Sequence, residues 1–415
     1  MIGFIWADIR RHAAGVLAVV LLIALASALG VCVTLSERAV RLGSARAAAA
    51  FDLVVGAPGS ETQLVLSSVF LQPAPRPLLP GAVLAALRAD PRVAFAAPVG
   101  FGDFAGDDPV VGTTSEIVEA FGGLGEGRGF QRLRDAVVGA AVERRIGTHV
   151  QPLHGRLSDG GHPHDAVSYE VVGRMKPTGT AWDKAILVPI EAVWAAHDHD
   201  AGDEAEHEGD AGSPAGTAEH RPDLDRPVDP AALDRRQAPG VPAIVVKPRT
   251  IAAAYALRQA YRQEGTLAVF PAEVLTRLYG TLGDARTVLQ VVAYGAQGLV
   301  GAAILFVIVV HVLQRRRQIG ALRAFGAPRR AVFLIVWAEI VAMVGLGVCL
   351  GFAIGFLAAL TLARLAGGSS GIAFPVELRP EDLSTLLALL AAVALVALVP
   401  AGLTYRQSPA SALRA

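Results

Sequence analysis

Eight of the ten histidines of this 415-residue chain fall between His149 and His220. Two pairs, His162 with His164 and His197 with His199, stand among aspartates and glutamates, a donor mixture that can hold zinc and other borderline ions. The spacing is irregular, and the two cysteines, Cys32 and Cys349, lie in apolar segments elsewhere. A solvated acidic stretch is therefore the stronger reading and a metal site the weaker one. Nucleotide hydrolysis by this chain meets a firmer obstacle. A P-loop needs G-x-x-x-x-G-K-[ST], whose lysine reaches the phosphates, whereas Lys176, Lys184 and Lys247 follow Met, Asp and Val. H-E-x-x-H does not occur, and no dinucleotide fingerprint stands between a strand and a helix. No catalytic residue is assigned, and the chain is not expected to be an enzyme.

The residues that suggest work of another kind lie at 314–330, QRRRQIGALRAFGAPRR, with six arginines and no acid. Ile319, Leu322, Ala324 and Phe325 have helical spacing, Arg323 lies among them, and Gly326-Ala327-Pro328 ends the pattern. An apolar helix face in so short a basic loop needs a cover, either the lipid surface or a protein docking there. Beyond the loop, Gly347, Gly351 and Gly355 recur every fourth residue, which lets helix backbones approach closely in a membrane. That face could pack within the subunit or at a dimer contact. Glu339 is the one acid in the surrounding apolar run. An intramembrane carboxylate is a functional candidate by default, and near Arg330 a hydrogen-bonded or paired role is favoured over proton relay.

Four apolar segments must position these residues: 13–35, 288–313, 331–365 and 383–403. Each is long enough for the roughly 20 helical residues that cross a hydrocarbon core about 30 Å thick. The first exceeds a signal-peptide core and is expected to remain as an anchor. The formal charge of zero hides an asymmetry: residues 36–286 carry 32 acids and 25 bases, and the rest carries 5 acids and 12 bases. The positive-inside rule then puts 1–12, the loop 314–330 and the tail 404–415 in the cytoplasm. It puts 36–286 and the loop 366–382 outside.

The external region has no cysteine and must be held by its own apolar core, for which about 250 residues suffice. Residues 36–50 keep a helical composition as a stalk, and 271–290 form a second one. Strands are expected at 51–55, 93–97, 243–246 and 266–270, with helices at 81–89 and 250–264. This alternation implies an α+β module from 36–135 and 240–286. Between its halves, 136–194 reads as a β-rich insertion with strands at 136–139, 168–172 and 185–188. Residues 195–239 are acidic, histidine-containing and poor in large apolar side chains, and are expected to be disordered. Nucleic acid is not an expected partner of so acidic a domain.

The run RRRQIGALRAFGAPRRAVFLIVWAE resembles the loop of MacB/FtsX-type (LolC/LolE-like) permeases of ABC transporters. So does the tail, with Pro400-Ala401 and then SPASALR at 408–414, although GLTYRQ replaces the usual arginine-rich spacer. AAVERRIG and YEVVGRMKPTGTAWDKAILVPIEAV resemble the external module of these proteins, while the acidic insert lies outside the pattern. The resemblance implies an α-helical integral membrane protein with four transmembrane helices and a large α+β, MacB-like periplasmic domain between helices 1 and 2. It implies that Ile319, Gly320, Leu322, Arg323, Phe325 and Gly326 couple to a separate ABC ATPase subunit, which would bind the ATP and Mg. It also implies a homodimer or a heterodimer with a second permease in the inner membrane, acting by mechanotransmission. A periplasmic adaptor, or lipoprotein, peptide or amphiphile clients, would be met outside. The rival expectation is an ATPase-driven regulator of an external partner such as a cell-wall hydrolase, with nothing transported.

Overall fold

The computed structural model describes residues 10, 13–74, 76–154, 162–163, 167–196, 223–263, 265–281, 295, 298, 302 and 327–405. The chain divides into two units, one of residues 1–41, 282–365 and 375–415, the other of 42–281 and 366–374. Helix α1, Ala13–Ala49, runs without interruption through the first apolar segment and the stalk. At 1.5 Å per residue its 37 residues extend about 56 Å, well beyond a hydrocarbon core about 30 Å thick.

The 42–281 unit is built on one mixed sheet. Strand β1 (Leu53–Gly56) follows α1, then helices α2 (Glu61–Ser68) and α3 (Gly81–Ala89). The hairpin β2 (Val93–Ala105) and β3 (Asp108–Thr113) comes next, then helix α4 (Ser115–Ala120). Strands β4 (Leu124–Gly127), β5 (Asp135–Val138), β6 (His149–Val150), β7 (Leu153–His154), β8 (His162–Pro163), β9 (Tyr169–Met175) and β10 (Ile186–Pro189) follow. Strand β11 (Ala243–Pro248), helix α5 (Ile251–Ala260) and strand β12 (Leu267–Val269) complete it, with 271–281 helical. The main path is β12-β1-β11-β2-β3-β10-β5-β9-β4.

The strands expected from apolar runs are present, and the sheet crosses the expected boundary of the β-rich insertion. The reason lies in β2, which pairs with β11 through Val99 and with β3 from Gly100 onward. A bulge between Phe101 and Asp103 marks its second half, where bulges bend and twist a strand. Strand β3 then pairs in parallel with β10. Apolar side chains cover both faces, so β5 and β10 are buried at every position, with no alternation. Trp182 is fully buried in a triangle of rings with Phe51 and Phe121, centroids 5.9 and 5.3 Å away, and its Nε1 donates to the Ser68 carbonyl at 3.3 Å.

One sequence expectation needs correction. Of the stretch 195–239 expected to be disordered, residues 223–239 are built onto the sheet. Leu133 and Arg134 donate backbone hydrogen bonds to Arg226 and Leu224, and Val228 donates to Gln131. Leu224 and Leu233 are buried, and a short 3-10 turn at Pro230–Asp234 is capped by the Asp229 carboxylate. Three apolar residues and a backbone ladder outweigh the polar composition there. Residues 197–222 lie outside the described residues.

Asp135 holds the corner beside this ladder. Its buried carboxylate accepts from Arg128 at 2.5 and 3.0 Å and from the amides of Gln131 and Arg132 at 2.7 and 2.9 Å. Burial alone would raise its pKa, but these hydrogen bonds from Arg128 and the two amides lower it below the usual carboxylate value.

In the other unit, helix α6 (Arg329–Ser370) is followed by α7 (Pro380–Val396) and α8 (Leu398–Tyr405). Helices α1 and α6 are long and apolar enough to cross a membrane. The single helix expected over 383–403 is instead broken at Ala397. Pro400 has no amide to offer the Val396 carbonyl, so the helical ladder is interrupted about one turn earlier.

Candidate functional site

The structure places the small-residue face of α6 against α1. A methyl carbon built on Gly347 would lie 2.8 Å from Ile23 Cβ. On Gly351 it would lie 2.5 Å from the Ala24 carbonyl oxygen, and on Gly355 2.6 Å from that of Ala28. Distances under 3 Å to backbone leave no room for any side chain. Hence, of the two packing sites open from the sequence, the contact occupied here is within the subunit. Positions on both helices rise together along this seam, so α1 and α6 run parallel.

Helix α7 runs the other way. Trp337 Nε1 of α6 donates to the Ala394 carbonyl at 2.9 Å, while Gly345 approaches Leu390. At its opposite end, the Arg38 guanidinium of α1 forks onto Asp382 at 2.7 and 2.8 Å. Both side chains are largely buried, 14% and 12% exposed. Asp382 also accepts the Arg379 amide at 2.8 Å, so one carboxylate ties two helices and caps the start of α7. Sequence reasoning missed this clasp, although Pro380-Glu381-Asp382 before an apolar run is a helix-start signature.

Glu339 is buried, 5% exposed, and has an interaction partner. Arg329 and Arg330 open α6 directly after Pro328, whose carbonyl accepts the Ala331 amide at 3.0 Å. The expected coupling residues Ile319, Gly320, Leu322, Arg323, Phe325 and Gly326 lie outside the described residues, as do His164, His197 and His199. His162 stands in β8 opposite His154 of β7. Among the described residues, no group of three or more His, Cys, Asp or Glu is placed to hold a metal ion.

The family comparison bears on this same helical unit. Residues 291–410 match the family model "FtsX-like permease C-terminal". Over this part, less than a third of its length, the chain is similar to FtsX-like permeases, and the match spans the basic loop, the glycines of α6 and Asp382. Among solved structures, the periplasmic region of MacB from Actinobacillus actinomycetemcomitans is similar at 9% identity and a TM-score of 0.30. That likeness covers 56% of this chain and 95% of the other. The extracellular domain of the noncanonic ABC-type transporter YknZ from Gram-positive bacteria is similar at 12% identity and a TM-score of 0.27, covering 52% and 98%. No curated protein sequence matches this one.

Proposed function

We propose that this chain is the permease subunit of an ABC transporter and passes the work of a separate ATPase to its external domain. The observation that carries this reading is the FtsX-like match over 291–410, which includes the arginine-rich loop 314–330. The helix directions support it. Parallel α1 and α6 require the chain to recross the membrane once between them, which is the role of the apolar segment 288–313. Antiparallel α7 then returns the chain to the side of Arg329 and Arg330, the cytoplasmic side by the positive-inside rule. In this reading the chain makes four crossings, with both ends on the cytoplasmic side.

In this reading Ile319, Gly320, Leu322, Arg323, Phe325 and Gly326 form the surface on which the ATPase docks. ATP and Mg are bound by that partner, and two permease chains, alike or different, complete the assembly. Closure of the ATPase pair moves the loop, and the continuous helix α1 carries the displacement outward. The clients are molecules met on the outer side, such as lipoproteins, peptides or amphiphiles. Arg323→Glu tests the assignment: with the partner ATPase in nanodiscs, stimulation of hydrolysis is lost while membrane insertion persists. Unchanged stimulation would refute the coupling surface.

A further inference from the structure

The residues that follow α6 do not hang free. Gly371, in the left-handed region at φ +73, turns the chain out of the helix, and its amide donates to the Gly367 carbonyl at 2.8 Å. The next three residues lie on the 42–281 unit, to which 366–374 belong. Ala373 donates its amide to the Gly179 carbonyl at 3.1 Å. Ile372 is buried with Ala47 of α1 and Ala181, and Phe374 packs against the same cluster. Gly43 of α1 lies so close that a methyl carbon there would stand 2.6 Å from the Ala373 carbonyl oxygen and 2.7 Å from the Phe374 ring.

The surface receiving this segment is stiff. The Asp183 carboxylate accepts from the Thr178 amide and hydroxyl and from the Gly179 amide, each at 2.8 Å. Thr180 Oγ1 accepts the Trp182 amide at 3.3 Å, and the Trp182 ring packs against Phe51 and Phe121. The contact is made from backbone hydrogen bonds, small residues and buried apolar carbon, with no charge pair to switch. Such a joint is built to stay closed.

We propose that 371–374 is a fixed anchor strap, seated on the 178–184 turn and on Gly43 of α1. It makes the loop between the third and fourth spans move with the external domain throughout the ATPase cycle, rather than act as a hinge. The proposal rests on the coupling reading above for its motion, but not for its docking. Gly43 acts as a positioning residue, because a side chain there would collide with the Ala373 carbonyl and the Phe374 ring.

The test uses the full chain with its ATPase in nanodiscs, with Cys32 and Cys349 replaced by alanine. A methyl carbon on Gly179 would lie 3.3 Å from Ala373 Cβ, near the separation a disulfide bridges. The Gly179→Cys/Ala373→Cys pair should therefore cross-link in the resting protein and leave ATPase stimulation unchanged. Separately, a thiol reagent should label Ile372→Cys slowly, and about ten-fold faster once Gly43→Leu or the milder Phe374→Ala releases the strap. Those releasing variants should also lose stimulation. Failure of the pair to cross-link, or fast labelling of Ile372→Cys without a releasing change, overturns the docking. A cross-link that halts stimulation until reductant is added overturns the fixed anchor, since the strap would then have to open. If the parent protein shows no stimulation, the coupling reading fails by itself, and cross-linking and labelling still decide whether the strap is docked.

Discussion

The two units are held together by opposite means. In the 42–281 unit, large side chains such as Trp182, Tyr169, Phe104 and Leu64 are fully buried around the sheet, and removal of apolar surface from water drives the assembly. In the helical unit, the tightest seam sets bare glycines of α6 against backbone oxygens and β-carbons of α1. Lipid tails are as apolar as leucine, so burial supplies little there, and close backbone approach with a few polar ties takes its place. The external unit should therefore suffer most from losing carbon, and the helical unit from gaining it.

The largest expected effect breaks the seam. Gly351→Leu forces a branched side chain against the Ala24 carbonyl and should abolish assembly with the ATPase, read by co-purification from detergent. Gly402, which has nothing within 4 Å of the equivalent methyl carbon, serves as the control, and Gly402→Leu should assemble normally. Equal behaviour of the two variants would erase the contrast between the units. In the 42–281 unit, Trp182→Ala removes the ring packed against Phe51 and Phe121 and should cost about 3–5 kcal/mol, measured by chemical unfolding of the full chain. Gly139→Ala should also be poorly tolerated, since its methyl carbon would lie 2.3 Å from the Asp183 carbonyl oxygen.

A smaller effect sharpens the role of polar ties among the helices. Asp382→Ala loses both the Arg38 fork and the cap of α7, and should cost more than Arg38→Ala. Each side chain keeps some solvent contact, so roughly 1–3 kcal/mol is expected for the pair, below the cost of breaking a fully buried one. Thermal unfolding in nanodiscs would measure it, and an Arg38→Asp/Asp382→Arg exchange should recover part of the loss. The smallest effect is a pH dependence in the external unit. The folded pKa of Asp135 lies below its unfolded value, so its contribution to stability is present above the unfolded pKa near 3.9 and lost as pH falls through the folded one. Asp135→Asn should lower stability at neutral pH and flatten the acid limb of an unfolding profile. An unchanged acid limb would remove Asp135 from that role.

Much of the external unit could be read from apolar runs and their breakers, because β1, β5, β10, β11 and α3 are local patterns. Helix α2 was not expected from the sequence, although Ser60 accepts the Gln63 amide at 3.3 Å in an S-x-x-Q start signal, because its mixed composition conceals it. The ordering of 223–239 was not legible, since it depends on partners some ninety residues earlier in sequence. The glycine face announced its spacing but not its partner, because Ala24 and Ala28 look like ordinary apolar positions. The strap left still less trace. Its amides and small side chains carry no pattern, and only the surfaces around Gly43 and Gly179 give it meaning.

The most direct test of the central claim is purification of the tagged full-length chain from native membranes in mild detergent, with mass spectrometry of the proteins that accompany it. The expected result is a separate polypeptide carrying a P-loop, retained by the native chain and lost from Arg323→Glu. Absence of any such ATPase, under conditions that preserve a known permease complex, would contradict the coupling account and favour a regulator that works without one.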